Sequence, residues 1–99
     1  MLILKAKVKY FTTLRELSGS AEEEINIENG GTLADLIKEV ASKYGEEASN
    51  YLYHKGEDGK ADPSIYFLIN GTNARMLSGL NTKLRDGDVV AIIPPIGGG

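Results

Sequence analysis

The chain ends with the stretch VVAIIPPIGGG, residues 89–99, and this stretch decides the fold. Residues 89–93 are all apolar, which is typical of a strand that lies in the middle of a sheet. Pro94 and Pro95 follow, and the strand ends there because proline has no N–H for the ladder and favours extended backbone. Residues 97–99 are glycines, which can enter a slot too narrow for side chains. The stretch therefore predicts a central strand that leads directly into an exposed tail, residues 94–99.

The tail would carry one distinctive group, the α-carboxylate of Gly99, which is ionised at neutral pH because such carboxyls have a pKa of about 3.5. In an arbitrary chain, a glycine-rich terminus is most often a frayed end. Here no linker separates the predicted strand from the glycines. This continuity favours a tail with a fixed direction, and it makes the Gly99 carboxylate the candidate working group.

Two strands are predicted near the start of the chain, at residues 2–10 and 21–28. Both alternate with period two, so each has one buried and one solvated face. In the first strand, the inward residues are Leu2, Leu4, Ala6, Val8 and Tyr10, and the outward residues include Lys5, Lys7 and Lys9. In the second, Ile25 and Ile27 point inward, and residues 22–24 are predicted to be a solvated acidic end. Antiparallel pairing would set lysines against glutamates and favour one register.

One long amphipathic helix is predicted after the Gly30-Gly31 turn. Thr32 is the expected N-cap, with Asp35 in the first turn, and Gly45 is the expected end. The apolar stripe is Leu33, Leu36, Ile37, Val40 and Tyr44. Residues 11–19 suggest about one helical turn, and residues 46–52 suggest a short second helix.

The rest of the chain predicts an exposed turn at 55–60, a strand at 65–70, a hairpin turn at Asn70-Gly71 and a short edge strand at 72–76. Asp86-Gly87-Asp88 then turns the chain into the last strand. The resulting class is α+β, as one domain over residues 1–99. We expect a mixed sheet whose first and last strands are adjacent and parallel, with the main helix packed across one face.

Composition narrows the function classes. The chain has no cysteine, which removes disulfides, thiolate metal sites and cysteine nucleophiles. A net charge of −3 argues against a nucleic-acid partner, and no apolar run is long enough to span a membrane. The one histidine, His54, has no partner for a metal site, and no catalytic triad or carboxylate pair can be assembled. The prediction is a cytoplasmic protein that is not an autonomous enzyme and binds no cofactor itself.

Two blocks resemble a known family. YFTTLRELSG (residues 10–19) is similar to the segment after the first strand in the small subunit of molybdopterin synthase (MoaD). DGDVVAIIPPIGGG (residues 86–99) is similar to that family's end, where two prolines precede a terminal Gly-Gly. The order of elements resembles the β-grasp, or ubiquitin-like, fold. Thr12 departs from a common alanine, and Gly97 departs from a common serine, threonine or alanine. Residues 46–63 form a longer insertion, which leaves room for an archaeal-type relative or for a different partner surface.

The resemblance implies a sulfur carrier. A ubiquitin-activating-enzyme-like adenylyltransferase of the MoeB type would use ATP to adenylate Gly99, and sulfur transfer would then give a thiocarboxylate. A large subunit of the MoaE type would use this sulfur to build molybdopterin, and it would supply the catalytic groups. In this scheme Gly97 and Gly98 give the tail its reach, and Pro94 and Pro95 set its direction.

Other interpretations stay open. The same tail suits a ubiquitin-like modifier that is joined to lysines, or a sulfur donor for thiamin or tRNA thiolation. It is also compatible with a binding module whose tail is inert. Phe11 and Ile96 are candidate interface residues beside the tail, although burial in the core is an equal expectation for each.

Overall fold

Five strands and three helices are formed by residues 2–53 and 60–94, the part of the chain that the computed structural model describes. The strands are β1 (Ile3–Lys9), β2 (Glu22–Glu28), β3 (Tyr66–Ile69), β4 (Thr72–Asn73) and β5 (Val89–Ile93). The helices are α1 (Thr12–Ser18), α2 (Leu33–Tyr44) and α3 (Glu46–Leu52), and two 3₁₀ turns cover Ala74–Met76 and Gly79–Asn81. The predicted α+β class is confirmed.

The strands form one mixed sheet in the order β2-β1-β5-β3-β4. β5 is the central strand, parallel to β1 and antiparallel to β3. The prediction that the first and last strands are adjacent and parallel is therefore confirmed. Helix α2 packs on one face of this sheet, and the inward side chains of helix and sheet form a single apolar core.

The pairing of β1 with β2 follows the predicted charge pattern. Lys7 is opposite Glu24 and Lys9 is opposite Glu22, and the Lys7 ammonium lies 3.9 Å from a Glu22 carboxylate oxygen. Exposed pairs of this kind contribute less than about 1 kcal/mol, so burial of the inward side chains must hold the hairpin. Leu2 was predicted to point inward, but it is 73% exposed because it precedes β1 and lies beyond the covered core.

Helix α2 begins with the predicted cap. The Thr32 hydroxyl accepts a hydrogen bond from the Asp35 N–H, and the Asp35 carboxylate accepts one from the Thr32 N–H, which is a capping box. The helix ends at Gly45, and the predicted apolar stripe faces the core. The short helix predicted at 46–52 is confirmed as α3, and α1 has about two turns where one was expected.

The hairpin between β3 and β4 turns at Asn70-Gly71, as predicted. Both residues have positive φ, 51° and 87°, as a type I′ turn requires. Strand β4 is shorter than the predicted edge strand at 72–76. The Asn73 side chain accepts a hydrogen bond from the Arg75 N–H, which starts a 3₁₀ turn and ends the strand after two residues.

Some predictions fall outside the described residues. These are residues 55–59 of the turn predicted at 55–60, the neighbouring His54, and residues 95–99 of the tail predicted at 94–99. Within the described ranges, no helix has both the length and the apolar character to cross a bilayer.

Candidate functional site

The described part of the chain ends just after the middle strand of the sheet. The last ladder pair of β5 joins Ile93 to Tyr66 of β3, and Pro94 follows directly. We call Ile93 and Pro94 the tail root. β5 is paired with β1 as far as Ala91 and with β3 as far as Ile93, so the sheet fixes the position of the tail root. Of the predicted tail residues, the structure places Pro94, which is half-buried, and Pro95, Ile96, Gly97, Gly98 and Gly99 lie outside the described residues.

An apolar strip lies beside the tail root on the face of the sheet that does not carry α2. In β5, Val90 and Ile92 are buried in the core, so Ala91 and Ile93 between them point to the opposite, open face. Neighbouring strand β3 alternates in the same way. We call the resulting surface the open-face patch; it consists of Tyr66, Leu68, Val89, Ala91 and Ile93.

The open-face patch borders a charged half of the same face. Lys7 is paired with Val89 and Lys9 with Ala91, and both lysine side chains are on the outward face of β1. Beyond them, the outward residues of β2 are mainly glutamates. A partner that docks on this face would therefore meet apolar groups near the tail root and lysines next to them.

Arg75 lies over Tyr66, at one corner of the open-face patch. Its guanidinium lies 5.1 Å from the centre of the Tyr66 ring, within cation–π range, and it donates a hydrogen bond to the Pro63 carbonyl. Next to it in sequence, Met76 is 81% exposed. The link between Arg75 and Tyr66 gives no signal in the sequence, because the two residues are on different elements and share no motif.

Phe11 reaches the same edge of the sheet as the tail root. It lies two residues after Lys9, the last residue of β1 that pairs with β5. Because parallel strands have their carboxyl ends at the same edge of a sheet, Phe11 and the tail root are at one edge. Its side chain is 38% exposed, and with Lys9, Arg15 and Glu22 it lines a cleft of about 280 Å³. Thr12 comes next with φ +45°, a left-handed conformation that is unusual for a β-branched residue. The interface role of Phe11 stays a prediction.

A hydrogen-bonded cluster anchors the end of β1 to helix α2. The Glu23 carboxylate accepts hydrogen bonds from the Tyr10 hydroxyl and the Lys43 ammonium, both at 2.6 Å, and from the Tyr44 hydroxyl. The rings of Tyr10 and Tyr44 meet edge to face, with centres 6.0 Å apart. The prediction that residues 22–24 are a solvated end is wrong for Glu23, because its inward-pointing carboxylate has three donors within reach.

The cluster changes the acidity of its members. Desolvation raises the pKa of Glu23, but the hydrogen bonds from Lys43, Tyr10 and Tyr44 outweigh it and lower the pKa overall. Burial, followed by the hydrogen bond to Glu23, raises the pKa of the Tyr10 hydroxyl. Tyr10 is thus neutral and Glu23 ionised at physiological pH. The cluster therefore holds Tyr10, the residue that precedes Phe11, in place.

The described residues contain no group of three or more histidine, cysteine, aspartate or glutamate side chains placed to share a metal ion. They offer a fixed strand end, an apolar face beside it and an exposed aromatic side chain at the same edge.

Relatives of the chain have names that describe sulfur carriers and modifiers. Small archaeal modifier protein 3 of Haloferax volcanii is 29% identical over 97% of this chain and 100% of its own length. A putative sulfur carrier protein of Archaeoglobus fulgidus is 45% identical over 69% of this chain and 74% of its own length. The molybdopterin synthase sulfur carrier subunit of Chlamydomonas reinhardtii is 29% identical over 97% of this chain and 100% of its own.

Solved structures show the same fold. Small archaeal modifier protein 1 of Methanosarcina acetivorans superposes with a TM-score of 0.82 at 36% identity, with full coverage of both chains. A chain of the BexX/CysO complex of Amycolatopsis orientalis gives a TM-score of 0.71 at 26% identity, covering 95% of this chain and 99% of that one. The predicted ubiquitin-like β-grasp fold is confirmed.

The family follows from these observations together. The resemblance of residues 10–19 and 86–99 to ubiquitin-like sulfur carriers is confirmed by the relatives, and the model of the ThiS family matches residues 8–99. A core strand that ends at the tail root agrees with this match. The chain belongs to the ThiS family, a family of sulfur carriers and ubiquitin-like modifiers.

Proposed function

We propose that this chain is a sulfur carrier that works through the carboxylate of Gly99. The observation that carries the proposal is the tail root, where Pro94 directly follows a strand that is paired on both sides. A tail that starts from such a strand has a fixed origin and direction, so a partner that docks on the domain can receive its end at a defined place. Gly97 and Gly98 would let the chain pass a narrow channel, since they have no side chains.

The Gly99 carboxylate must be activated before sulfur can replace one of its oxygens, because a carboxylate oxygen is a poor leaving group. In the proposed first step, the Gly99 carboxylate attacks the α-phosphate of ATP, which forms an acyl-adenylate and releases pyrophosphate. In the second step, the terminal sulfur of a donor persulfide attacks the acyl carbon and AMP leaves, which gives an acyl disulfide. A thiol of the donor then attacks the donor-side sulfur of this disulfide, so that the thiocarboxylate leaves and a donor disulfide forms. ATP belongs to the activating partner, an adenylyltransferase of the MoeB type. The carrier's contribution is presentation of the carboxylate.

We propose that the acceptor is the precursor of molybdopterin, bound to a large subunit of the MoaE type. The name of the Chlamydomonas relative, which aligns over its whole length, supports this assignment. The open-face patch and Phe11 are the proposed docking surfaces for both partners. They lie at the tail root, and they expose apolar groups that a partner can bury. Ile96 would extend this surface into the tail.

The test is an intact-mass measurement. The full chain is incubated with the activating enzyme, ATP and a sulfur donor, and the expected product gains the mass difference between sulfur and oxygen. A chain without Gly98 and Gly99 should show no gain, whereas Glu47→Gln, a change on the exposed face of α3, should react like the parent. No gain in the parent chain would contradict the sulfur-carrier proposal.

A second candidate function is conjugation to lysines of other proteins. The names of the Haloferax and Methanosarcina proteins, both small archaeal modifiers, favour it. Here a lysine amine attacks the acyl carbon of the Gly99 adenylate, and an isopeptide bond forms as AMP and a proton leave. Glycine remnants on cellular lysines, traced to this tail by mass spectrometry, would support it, and their absence from cells that make the protein would remove it. If the chain instead donates sulfur for thiamin or tRNA, the thiocarboxylate should still form in the carrier assay, and its sulfur would pass to a different acceptor.

A further inference from the structure

The outer edge of β2 is a surface that the proposed function does not use. β2 is a terminal strand of the sheet, and its ladder partner is β1. The tail root is on β5, on the other side of β1. An unpaired strand edge is a template for another strand, because its N–H and C=O groups point outward in a row.

The orientation of the β2 backbone follows from the ends of the ladder. Tyr10 donates its N–H to the Ala21 carbonyl at 2.8 Å, and Asn29 donates its N–H to the Leu2 carbonyl at 2.9 Å. Hydrogen-bonded pairs recur every second residue in an antiparallel ladder, so the odd-numbered residues of β2 bond to β1. The backbone groups of the even-numbered residues 22, 24, 26 and 28 therefore point to the outer edge.

Among the residues that the structure describes, most of these outward groups have no hydrogen-bond partner. The Glu28 carbonyl accepts a hydrogen bond from the Gly31 N–H at 2.9 Å. Within residues 2–53 and 60–94, no hydrogen bond reaches the backbone of Glu24 or Asn26 from the outer side. Both residues are exposed. A continuous set of donors and acceptors is thus open to an added strand.

The side chains along this edge select the strand that can be added. Glu22, Glu24 and Glu28 are exposed and project to the open face. On the α2 side, the polar cleft beside this edge is lined by charges of both signs, from Asp35, Lys38 and Glu39. The inner edge of β2 already pairs with a basic strand, since Lys7 and Lys9 of β1 are opposite Glu24 and Glu22. Opposite charges on facing strands are favourable and like charges are not.

The same charges disfavour a second copy of the chain. Antiparallel pairing of two β2 strands about a two-fold axis at Ile25 would place Glu22 of each copy opposite Glu28 of the other. Such like-charge pairs oppose association. The edge is therefore protected from self-association, and it stays open to a strand of opposite charge.

We propose that the outer edge of β2 binds an extended segment of a partner protein that carries lysine or arginine at alternate positions. The segment adds to the sheet as a sixth strand. Its backbone bonds to residues 22–28, and its basic side chains face Glu22, Glu24 and Glu28. The apolar or small residues between them lie against the flank of α2. The interaction is independent of the tail, so the carrier could be bound here while the tail is used.

The probe is a peptide that copies β1, acetyl-ILKAKVK-amide, whose sequence is already known to suit β2. It is titrated into the full-length chain while amide NMR signals and hydrogen exchange are followed. We expect shifts and slowed exchange at the N–H groups of Glu22, Glu24, Asn26 and Glu28. The matched peptide acetyl-ILEAEVE-amide should bind about tenfold more weakly or not at all, since two favourable lysine–glutamate pairs become repulsive.

Two variants separate the backbone and charge contributions. Asn26→Pro removes one outward N–H, a change that edge strands tolerate, and it should abolish the shifts. The triple variant Glu22→Gln, Glu24→Gln and Glu28→Gln keeps the shapes and should weaken binding roughly tenfold. Its control, Glu16→Gln, Glu46→Gln and Glu47→Gln, removes the same charge from exposed helix positions and should bind normally. Equal binding of both peptides, shifts outside β2, or no effect of the triple variant would overturn the proposal.

Discussion

The Tyr10 hydroxyl donates a 2.6 Å hydrogen bond to the carboxylate of Glu23, on the inner face of the β1–β2 pair. Tyr10 is 1% exposed, and it precedes Phe11 at the edge where the tail root leaves the sheet. The bond joins the end of β1 to a carboxylate that Lys43 and Tyr44 of α2 also contact. The geometry of the candidate site thus depends on a polar cluster as well as on the apolar core.

Tyr10→Phe should destabilise the fold. The variant keeps the ring in the core but removes a hydrogen bond to a charged group, which typically contributes about 1.5–3 kcal/mol. In a domain of this size, each kcal/mol corresponds to a fall in Tm of about 4–8 °C. Thermal melts followed by circular dichroism would measure it. Tyr51→Phe is the control, since the Tyr51 hydroxyl makes no hydrogen bond in the described part of the chain. Equal melting temperatures for the two variants would contradict the role of the cluster.

The stability of the protein should fall in acid partly through Glu23. Its pKa in the folded chain is lowered, whereas in the unfolded chain it is near the ordinary value of about 4.3. The unfolded state therefore takes up a proton first as the pH falls, and stability is lost between about pH 5 and the folded pKa. Urea unfolding from pH 7 to pH 3 would show this.

The comparison with Glu23→Gln isolates this residue. The variant should be less stable than the parent at neutral pH, because its neutral amide is a weaker acceptor for Lys43, Tyr10 and Tyr44. The difference in free energy of unfolding between parent and variant should stay constant above about pH 5 and become smaller below it. A gap that widened on acidification would contradict the lowered pKa.

Substitutions at two neighbouring isoleucines should distinguish effects on folding stability from effects on partner docking. Ile92 is 1% exposed in the core, so Ile92→Ala should lower the free energy of unfolding by about 2–4 kcal/mol. Ile93 belongs to the open-face patch and is half-buried, so Ile93→Ala should cost less stability. Under the proposed function, Ile93→Ala should still reduce the rate of thiocarboxylate formation by weakening partner binding. The measurements are urea unfolding and the intact-mass assay, and a normal rate for Ile93→Ala would argue against docking at the patch.

Thr12→Asn should stabilise the chain. Thr12 has φ +45°, where a β-branched residue is strained by about 1–2 kcal/mol and asparagine is better tolerated. We expect a rise in Tm of several degrees, with Thr13→Asn as the control at an ordinary helical position. A fall in Tm for Thr12→Asn would show that the Thr12 side chain makes a contribution larger than the strain.

Periodic patterns and local caps allowed most of the fold to be predicted. The central place of β5 followed from its uninterrupted apolar residues, and α2 followed from its stripe and the Thr32–Asp35 capping box. These signals are local, so the sequence shows them directly. The hairpin turn at Asn70-Gly71 was predicted for the same reason.

Contacts between distant residues could not be predicted. Glu23 stands in a run of three glutamates, and its partners Lys43 and Tyr44 become neighbours only when α2 packs on the sheet. The stacking of Arg75 on Tyr66 depends in the same way on the early end of β4. The blocks that pointed to the family lie at both ends of the chain, and they say nothing about these internal contacts.

The central position of β5 also has a mechanical consequence. Tension applied to the tail acts along the β5 axis, across the hydrogen bonds to β1 on one side and to β3 on the other. These bonds share the load in shear and would have to break together, whereas a strand peeled from an edge loses its bonds one at a time. The domain should therefore resist unfolding when tension is applied at the tail, which is where a partner enzyme would bind it under the proposed function.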